Sequence, residues 1–297
     1  MKRFGLNLLA VAGFWAVFSL ILWPQWTVSP QPLPIACGFV NLPAKFRAQA
    51  MESTRETESQ LPFQLTWLGH ASFLLSWNQT HILVDPNFSQ QCGLLKRLSP
   101  APGFQPSTSI DAVVLTHAHL DHWDPASLAQ LFPARIFFAK GLHLDAAGAH
   151  PVLPGESVQV GELTLHFFAA RHGGNRFHPF HAKVPALCFV VESQGQAIFF
   201  AGDGGFSPVF AQVRDQFHPS LGVFGVGGYA PEFLLGTHHL NPESVIQVAR
   251  DMNLKWVVPG HIGTFPMAYE DPHEGLHRFA QVAAIQGQNW FIPFPAQ

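Results

Sequence analysis

Residues 116–124 read Thr-His-Ala-His-Leu-Asp-His-Trp-Asp, which places His117, His119, Asp121 and His122 within six positions. Neutral imidazole and ionised carboxylate suit borderline divalent metals, zinc foremost. Four such groups leaving one short support lie close enough to serve two ions. The support is Ala112-Val113-Val114-Leu115, an apolar run that predicts a buried strand ending at Thr116. On a chain with 17 histidines the competing reading is a His-rich loop without chemistry. Three further segments weigh against it, because each carries a ligand type just past a strand-like run. Leu165–Ala170 leads into Arg171-His172-Gly173-Gly174, Ala197–Ala201 into Gly202-Asp203-Gly204-Gly205, and Trp256–Pro259 into Gly260-His261-Ile262-Gly263. Glycines in such loops let backbones approach closely and adopt positive φ. Taken singly each segment reads as a turn; taken in order with His117–His122 they read as one metal centre.

The elements that must position these groups alternate along the chain. Short strands are predicted at Gln64–Leu68, Ser72–Trp77 and His81–Val84, the last two joined by a turn at Asn78-Gln79. Asp124-Pro125 opens a helix running to Leu131, with Asp as N-cap and Pro at the first helical position. Strands follow at Arg135–Ala139 and Leu163–Ala169, a hairpin at Leu187–Glu192 and Ala197–Ala201, and a strand at Lys255–Val258. Helices are predicted at Ser207–Phe217, Asn241–Met252 and His273–Ile285. Clusters of strands separated by helices imply two sheets with helices packed outside.

The 297 residues give room for a substantial core, and 47% of them are hydrophobic. Only 12% are charged, about half the usual share, which suits a protein living at a membrane. A net charge of −3 without a Lys/Arg block leaves nothing to track a nucleic-acid backbone. Cys37, Cys92 and Cys188 show no metal-ligand spacing; Cys188 lies in an apolar run, and a Cys37–Cys92 bridge is left open. Lys2-Arg3 precede Phe4–Trp23, 20 residues without a charge, closed by Pro24. That length matches a bilayer core, so residues 1–23 are expected to form a single-pass membrane anchor, with a cleavable signal segment as the rival. The basic end is expected to stay cytoplasmic and the rest to be exported. Residues 24–60, Pro-rich and then polar, are expected to be a linker, and residues 61–297 the folded domain.

The order H-x-H-x-D-H, then His, Gly-Asp and Gly-His resembles the metallo-β-lactamase superfamily. That resemblance implies an αββα sandwich, here preceded by an N-terminal transmembrane helix, with a dinuclear centre at the sheet edges. It implies that His117, His119 and His172 hold one metal, that Asp121, His122 and His261 hold the other, and that Asp203 bridges them. The segments Thr66–Ala71, Asp85–Phe88, Phe200–Phe206, Gly228–Pro231 and Gly263–Phe265 are similar to the branch that contains N-acylphosphatidylethanolamine-hydrolysing phospholipase D. Gly204, Ala230 and Asn241 depart from that branch, which has Thr, Glu and Asp there; the departures touch substrate identity and not the metal set.

Two closely spaced divalent ions, zinc foremost, lower the pKa of a shared water and clamp a phosphodiester. The implied activity is a phosphodiesterase acting on N-acylphosphatidylethanolamine-like phospholipids, with Asp203 and Asp121 as the catalytic carboxylates. A lactonase or esterase on the same centre is the alternative, and a non-enzymatic, metal-stabilised envelope protein a further one. Asp85 and Asp124 are the candidates for orienting metal-bound imidazoles from behind. His239, Tyr229 and His70 are the candidates for touching substrate. Gly93–Leu98, Asn175–Pro185 and Tyr229–Leu235 mix apolar residues with cations or aromatics, as loops meeting a lipid would. The expected partners are therefore a phospholipid or other small ester and a membrane, with no nucleic acid.

Overall fold

The structure is a computed structural model, and it describes residues 61–98, 109–131, 135–176 and 184–293. The expected anchor (1–23) and linker (24–60) lie outside the described residues. Among the described residues, no helix is long and apolar enough to cross a membrane.

The first half of the domain supplies strands β1 (Phe63–Gly69), β2 (Ser72–Trp77), β3 (Thr80–Val84), β4 (Gln91–Cys92), β5 (Leu95–Lys96) and β6 (Ala112–Val114). After helix α1 (Pro125–Leu128) come β7 (Arg135–Ala139) and β8 (Ala149–Val152). The second half supplies β9 (Ser157–Val160), β10 (Leu163–Gly173), β11 (Pro185–Ser193) and β12 (Gln196–Phe200). Then follow α2 (Val209–Phe217), β13 (Leu221–Gly225), α3 (Glu232–Leu235), α4 (Pro242–Asp251), β14 (Trp256–Gly260) and α5 (Glu274–Gln286). One sheet runs β1-β2-β3-β6-β7-β8 and the other β14-β13-β12-β11-β10-β9, while β4 and β5 form a separate hairpin.

Alternation along each strand sorts side chains between two cores. Ile82, Val84, Ala112, Val114, Phe137 and Ala139 face the second sheet, where they share one core with Phe167, Phe189, Phe200 and Val223. Their neighbours Leu83, Val113, Ile136 and Phe138 face outward and pack with Trp123 and with Leu128 of α1. On the far face of the second sheet, α2, α4 and α5 contribute Phe210, Val213, Ile246, Leu276 and Phe279 to the larger core. This is the αββα layering of a metallo-β-lactamase-like fold. Rings stacked between neighbouring strands, such as Phe189 on Phe200 at 4.8 Å, make single truncations there cost about 3–5 kcal/mol.

Two helices start with the same local device. Asp124 accepts a hydrogen bond from the Ser127 amide ahead of Pro125, and Asn241 accepts one from Ser244 ahead of Pro242. Asn241 thus performs the capping that an Asp would perform, so this departure from the phospholipase branch is neutral for the fold. The predicted helix from Asp124 to Leu131 stops at Leu128, and the expected Lys255–Val258 strand runs Trp256–Gly260. The Gly93–Leu98 segment, expected as a loop, is the turn and second strand of the β4–β5 hairpin. Strand β13, central and parallel, has no alternation to announce it: four of its five residues are buried because both faces are covered. Cys92 and Cys188 are buried free thiols.

Candidate metal centre

The strands of both sheets end at one edge, and the ligand-bearing loops meet there. The segment after β6 carries His117, His119, Asp121 and His122, and a register shift between Ala169 and Gly173 turns the end of β10 so that His172 faces them. Asp203 follows β12 and His261 follows β14. His261 takes the left-handed region at φ +58° and is fixed by its amide donating to the His70 carbonyl. The neighbouring loop passes so close that a Cβ on Gly228 (φ +81°) would stand 2.9 Å from the His261 ring; only glycine fits.

The nitrogens converge in two groups. His119 Nδ1 lies 2.9 Å from His117 Nε2 and 3.2 Å from His172 Nε2. Asp121 Oδ2 lies 3.2 Å from His261 Nε2 and 3.4 Å from His122 Nε2. Asp203 Oδ2 reaches both, at 3.2 Å from His122 Nε2, 3.3 Å from His261 Nε2 and 3.9 Å from His117 Nε2. All seven expected ligands are thus brought together, in the grouping expected of them, and all but His119 are buried.

The residues behind them set the tautomers. Asp85 accepts from the Thr116 amide at 2.7 Å and from the Thr116 hydroxyl at 2.6 Å, and its Oδ2 lies 2.7 Å from His122 Nδ1. With one proton held at His122 Nδ1, Nε2 is the nitrogen that faces the carboxylates and becomes free for a ligand role once its own proton is displaced. His172 Nδ1 faces the His238 carbonyl at 3.0 Å in the same way. This backbone orienter carried no sequence signal, because any residue type supplies a carbonyl. Asp124, the other candidate orienter, is placed elsewhere. It caps α1 and accepts from the Ser89 and Ser127 hydroxyls, so it braces the loop without reaching an imidazole of the cluster.

The substrate candidates separate as well. His239 borders the cluster, its Nδ1 3.7 Å from Asp203 Oδ2, and burial pushes its pKa down to about 4, so the ring is neutral near pH 7. His70 is buried against Asp121, with Nε2 at 2.8 Å from Oδ2, and its ring lies 4.0 Å from that of His261. Tyr229 takes a different place from the one expected. It is 1% exposed, with its hydroxyl between Glu274 and Arg278 and the Arg278 guanidinium over its ring, so it holds the loop and presents nothing to substrate.

Protonation tests whether this set suits metal. Burial, then crowding by neighbouring imidazoles, lowers the pKa of His117 and His172, and the surrounding histidines hold Asp121 and Asp203 well below the usual carboxylate range against the effect of burial. Neutral imidazoles beside ionised carboxylates are what ligation requires. For His122 and His261 burial favours the neutral form, but Asp203 and Asp121 overcome it and raise both, His261 to about 10. These two rings hold protons that a metal must displace. Apparent metal affinity is therefore expected to rise with pH, and calorimetry in buffers of different ionisation heat should detect proton release; an affinity that stays flat from about pH 6 to 8 contradicts it.

Residues 80–262, more than half of the chain, match the β-lactamase superfamily domain. The chain belongs to the metallo-β-lactamase superfamily. A UPF0173 metal-dependent hydrolase of Myxococcus xanthus is 30% identical over 222 residues, 70% of this chain and 74% of that one. The N-acyl-phosphatidylethanolamine-hydrolyzing phospholipase D 1 of Caenorhabditis elegans is 27% identical over 241 residues, 71% and 68% of the two chains. The superfamily fold is also that of Igni18, a metallo hydrolase from Ignicoccus hospitalis, with a TM-score of 0.58 at 19% identity over 79% of this chain and 96% of that one. Within the superfamily the chain is a metal-dependent hydrolase, with His and Asp clusters able to bind metal.

Proposed function

We propose that the protein is a phosphodiesterase acting on N-acylphosphatidylethanolamine-like phospholipids, held to a membrane by its N-terminal segment with the catalytic domain exported. The observation that carries the reading is Asp203 Oδ2, which stands within 3.9 Å of nitrogens from both imidazole groups, a position that supports a two-ion centre. The likeness to the Caenorhabditis elegans phospholipase supports the substrate class.

His117, His119 and His172 would hold one divalent ion, Asp121, His122 and His261 the other, and Asp203 both; zinc suits this donor set. Bound there, the pair would supply Lewis acidity and a water acidic enough to ionise near neutral pH. The chain's own groups do the rest. Asp203 orients the attacking water. His239, neutral and at the edge of the cluster, offers an N–H to a phosphoryl oxygen. Water adds at phosphorus, the bond to the N-acylethanolamine oxygen breaks, and that oxygen leaves with a proton, giving phosphatidic acid. His70 acts through Asp121 as a positioning residue: Nε2–H donates to Oδ2, which leaves Nδ1 as a bare buried lone pair, and Nδ1 indeed has no hydrogen-bond partner. His70→Ala is expected to weaken metal retention by about 10-fold in chelator competition, with partial recovery in His70→Gln; equal retention in all three proteins removes that role.

The function is tested with the zinc-loaded full-length chain on mixed micelles of N-acylphosphatidylethanolamine, following phosphatidic acid, with Asp203→Ala as control. Metal-dependent release absent from the control supports the proposal. A folded, metal-loaded protein that releases none moves the substrate to lactones and small esters on the same centre.

A further inference from the structure

Seven large apolar side chains stand exposed among the described residues, and five of them belong to the β4–β5 turn (Leu94), the segment after Asp203 (Phe206), α3 (Phe233 and Leu234) and the 264–270 segment (Tyr269). Leu94 is 87% exposed and Phe233 91%, so neither is packed at all. The loops that carry them are neighbours. The β4–β5 turn abuts the metal loop, where a Cβ on Gly93 would meet the Leu120 side chain at 3.3 Å, and the Leu98 amide just beyond β5 donates to the Thr264 carbonyl. The 264–270 segment in turn joins the α3 loop: Tyr269 donates its amide to the Ala230 carbonyl, and the Glu270 carboxylate accepts from the amides of Gly228 and Ala230. On the other side of α3, Gly205 lies against the Thr237 carbonyl, which brings Phe206 alongside. The segments that carry the apolar tips are therefore joined one to the next beside the polar, buried cluster, as a rim.

We propose that this rim is a lipid-docking surface that seats the mouth of the centre on an anionic bilayer, with Leu94 and Phe233 entering the acyl region. The choice of lipid as occupant rests on the function proposed above and on two features of the chain. The first is charge. Lys96 and Arg171 are exposed beside Leu94 and Phe206, whereas the carboxylates near the tips are engaged: Glu232 with Arg278, Glu270 with two backbone amides, Asp271 with the His273 amide. Cations beside apolar tips are the composition that binds an anionic interface. The second is chain connection, because the sequence carries the uncharged run Phe4–Trp23 ahead of the domain. A second copy of the chain fits less well: a stable interface needs about 800 Å² of complementary surface on each partner, while apolar tips on separate loops need only a fluid one.

The test places a nitroxide on the full-length chain at Leu94→Cys or Phe233→Cys, in a Cys37→Ser background, with Ile285→Cys as reference. Each protein is reconstituted into vesicles of phosphatidylethanolamine and phosphatidylglycerol. Power saturation is expected to show oxygen contact rising and contact with a water-soluble nickel chelate falling several-fold at 94 and 233, with no change at 285. Labels at 94 and 233 that stay as open to the chelate as the one at 285 overturn the proposal. So does spin–spin broadening that grows with the protein-to-lipid ratio without oxygen contact, which assigns the rim to a second copy. None of these readings needs turnover, so a protein that inserts its rim but does not release phosphatidic acid fails the proposed function alone.

Discussion

Asp203→Ala is expected to abolish turnover and leave the sandwich folded. Among the described residues it is the carboxylate placed against nitrogens of both imidazole sets, so under the proposed function its removal would take a shared ligand and the orienter of the attacking water together. Loss of a positioned acid–base group alone costs on the order of 10²–10⁴-fold in rate. Stability should respond little. Asp203 follows β12 in a loop and belongs to neither hydrophobic core, and burying a carboxylate is itself unfavourable. Steady-state rates, metal content and a thermal melt on one preparation check all three statements. Retained hydrolysis at normal metal content would remove the two-ion reading.

Asp85→Asn should be nearly as damaging as Asp85→Ala, although it changes one atom type. Asp85 accepts at both oxygens: Oδ1 from the Thr116 amide, Oδ2 from the Thr116 hydroxyl and from His122 Nδ1. An amide nitrogen in place of Oδ2 would oppose the proton on Nδ1. The ring would then move its proton to Nε2, the nitrogen that faces Asp121 and Asp203, and ligation would be lost. Metal affinity is expected to fall by about 10–100-fold, measured by chelator competition and elemental analysis. An Asn variant that binds metal like the parent would show that His122 is oriented by something else.

The centre was legible because its ligands are side chains of few types placed after strand-like runs. His117–His122, His172, Asp203 and His261 each follow a run whose apolar character predicts the strand. Asp85 was legible for the same reason. What was hidden acts through backbone or through distant pairing. The carbonyl that orients His172 belongs to His238, and the hydroxyl of Tyr229 is committed to Glu274 and Arg278, which lie 45 and 49 positions away. For His70 the sequence leaves a substrate contact and a buried structural histidine both open, and the structure buries it beside Asp121 at a left-handed backbone position of φ +52°. Asp124 satisfied the pattern of a capping residue and of an orienter equally, and only geometry separates those roles. In the fold, the sequence reading does not place β8, β9, β13 or the β4–β5 hairpin: β13 is buried on both faces, and the others are only two to four residues long.

The ligands divide between the layers in a way that reaches beyond catalysis. The first sheet contributes His117, His119, Asp121 and His122, and the second contributes His172, Asp203 and His261, so each triad draws on both while Asp203 comes from the second alone. A chain whose two halves have folded but not yet met owns neither complete triad. High-affinity metal uptake should then report closure of the sandwich, and bound metal would act as a latch across it. The free energy of ligation is withheld until the layers are in register, so loading doubles as a checkpoint on assembly.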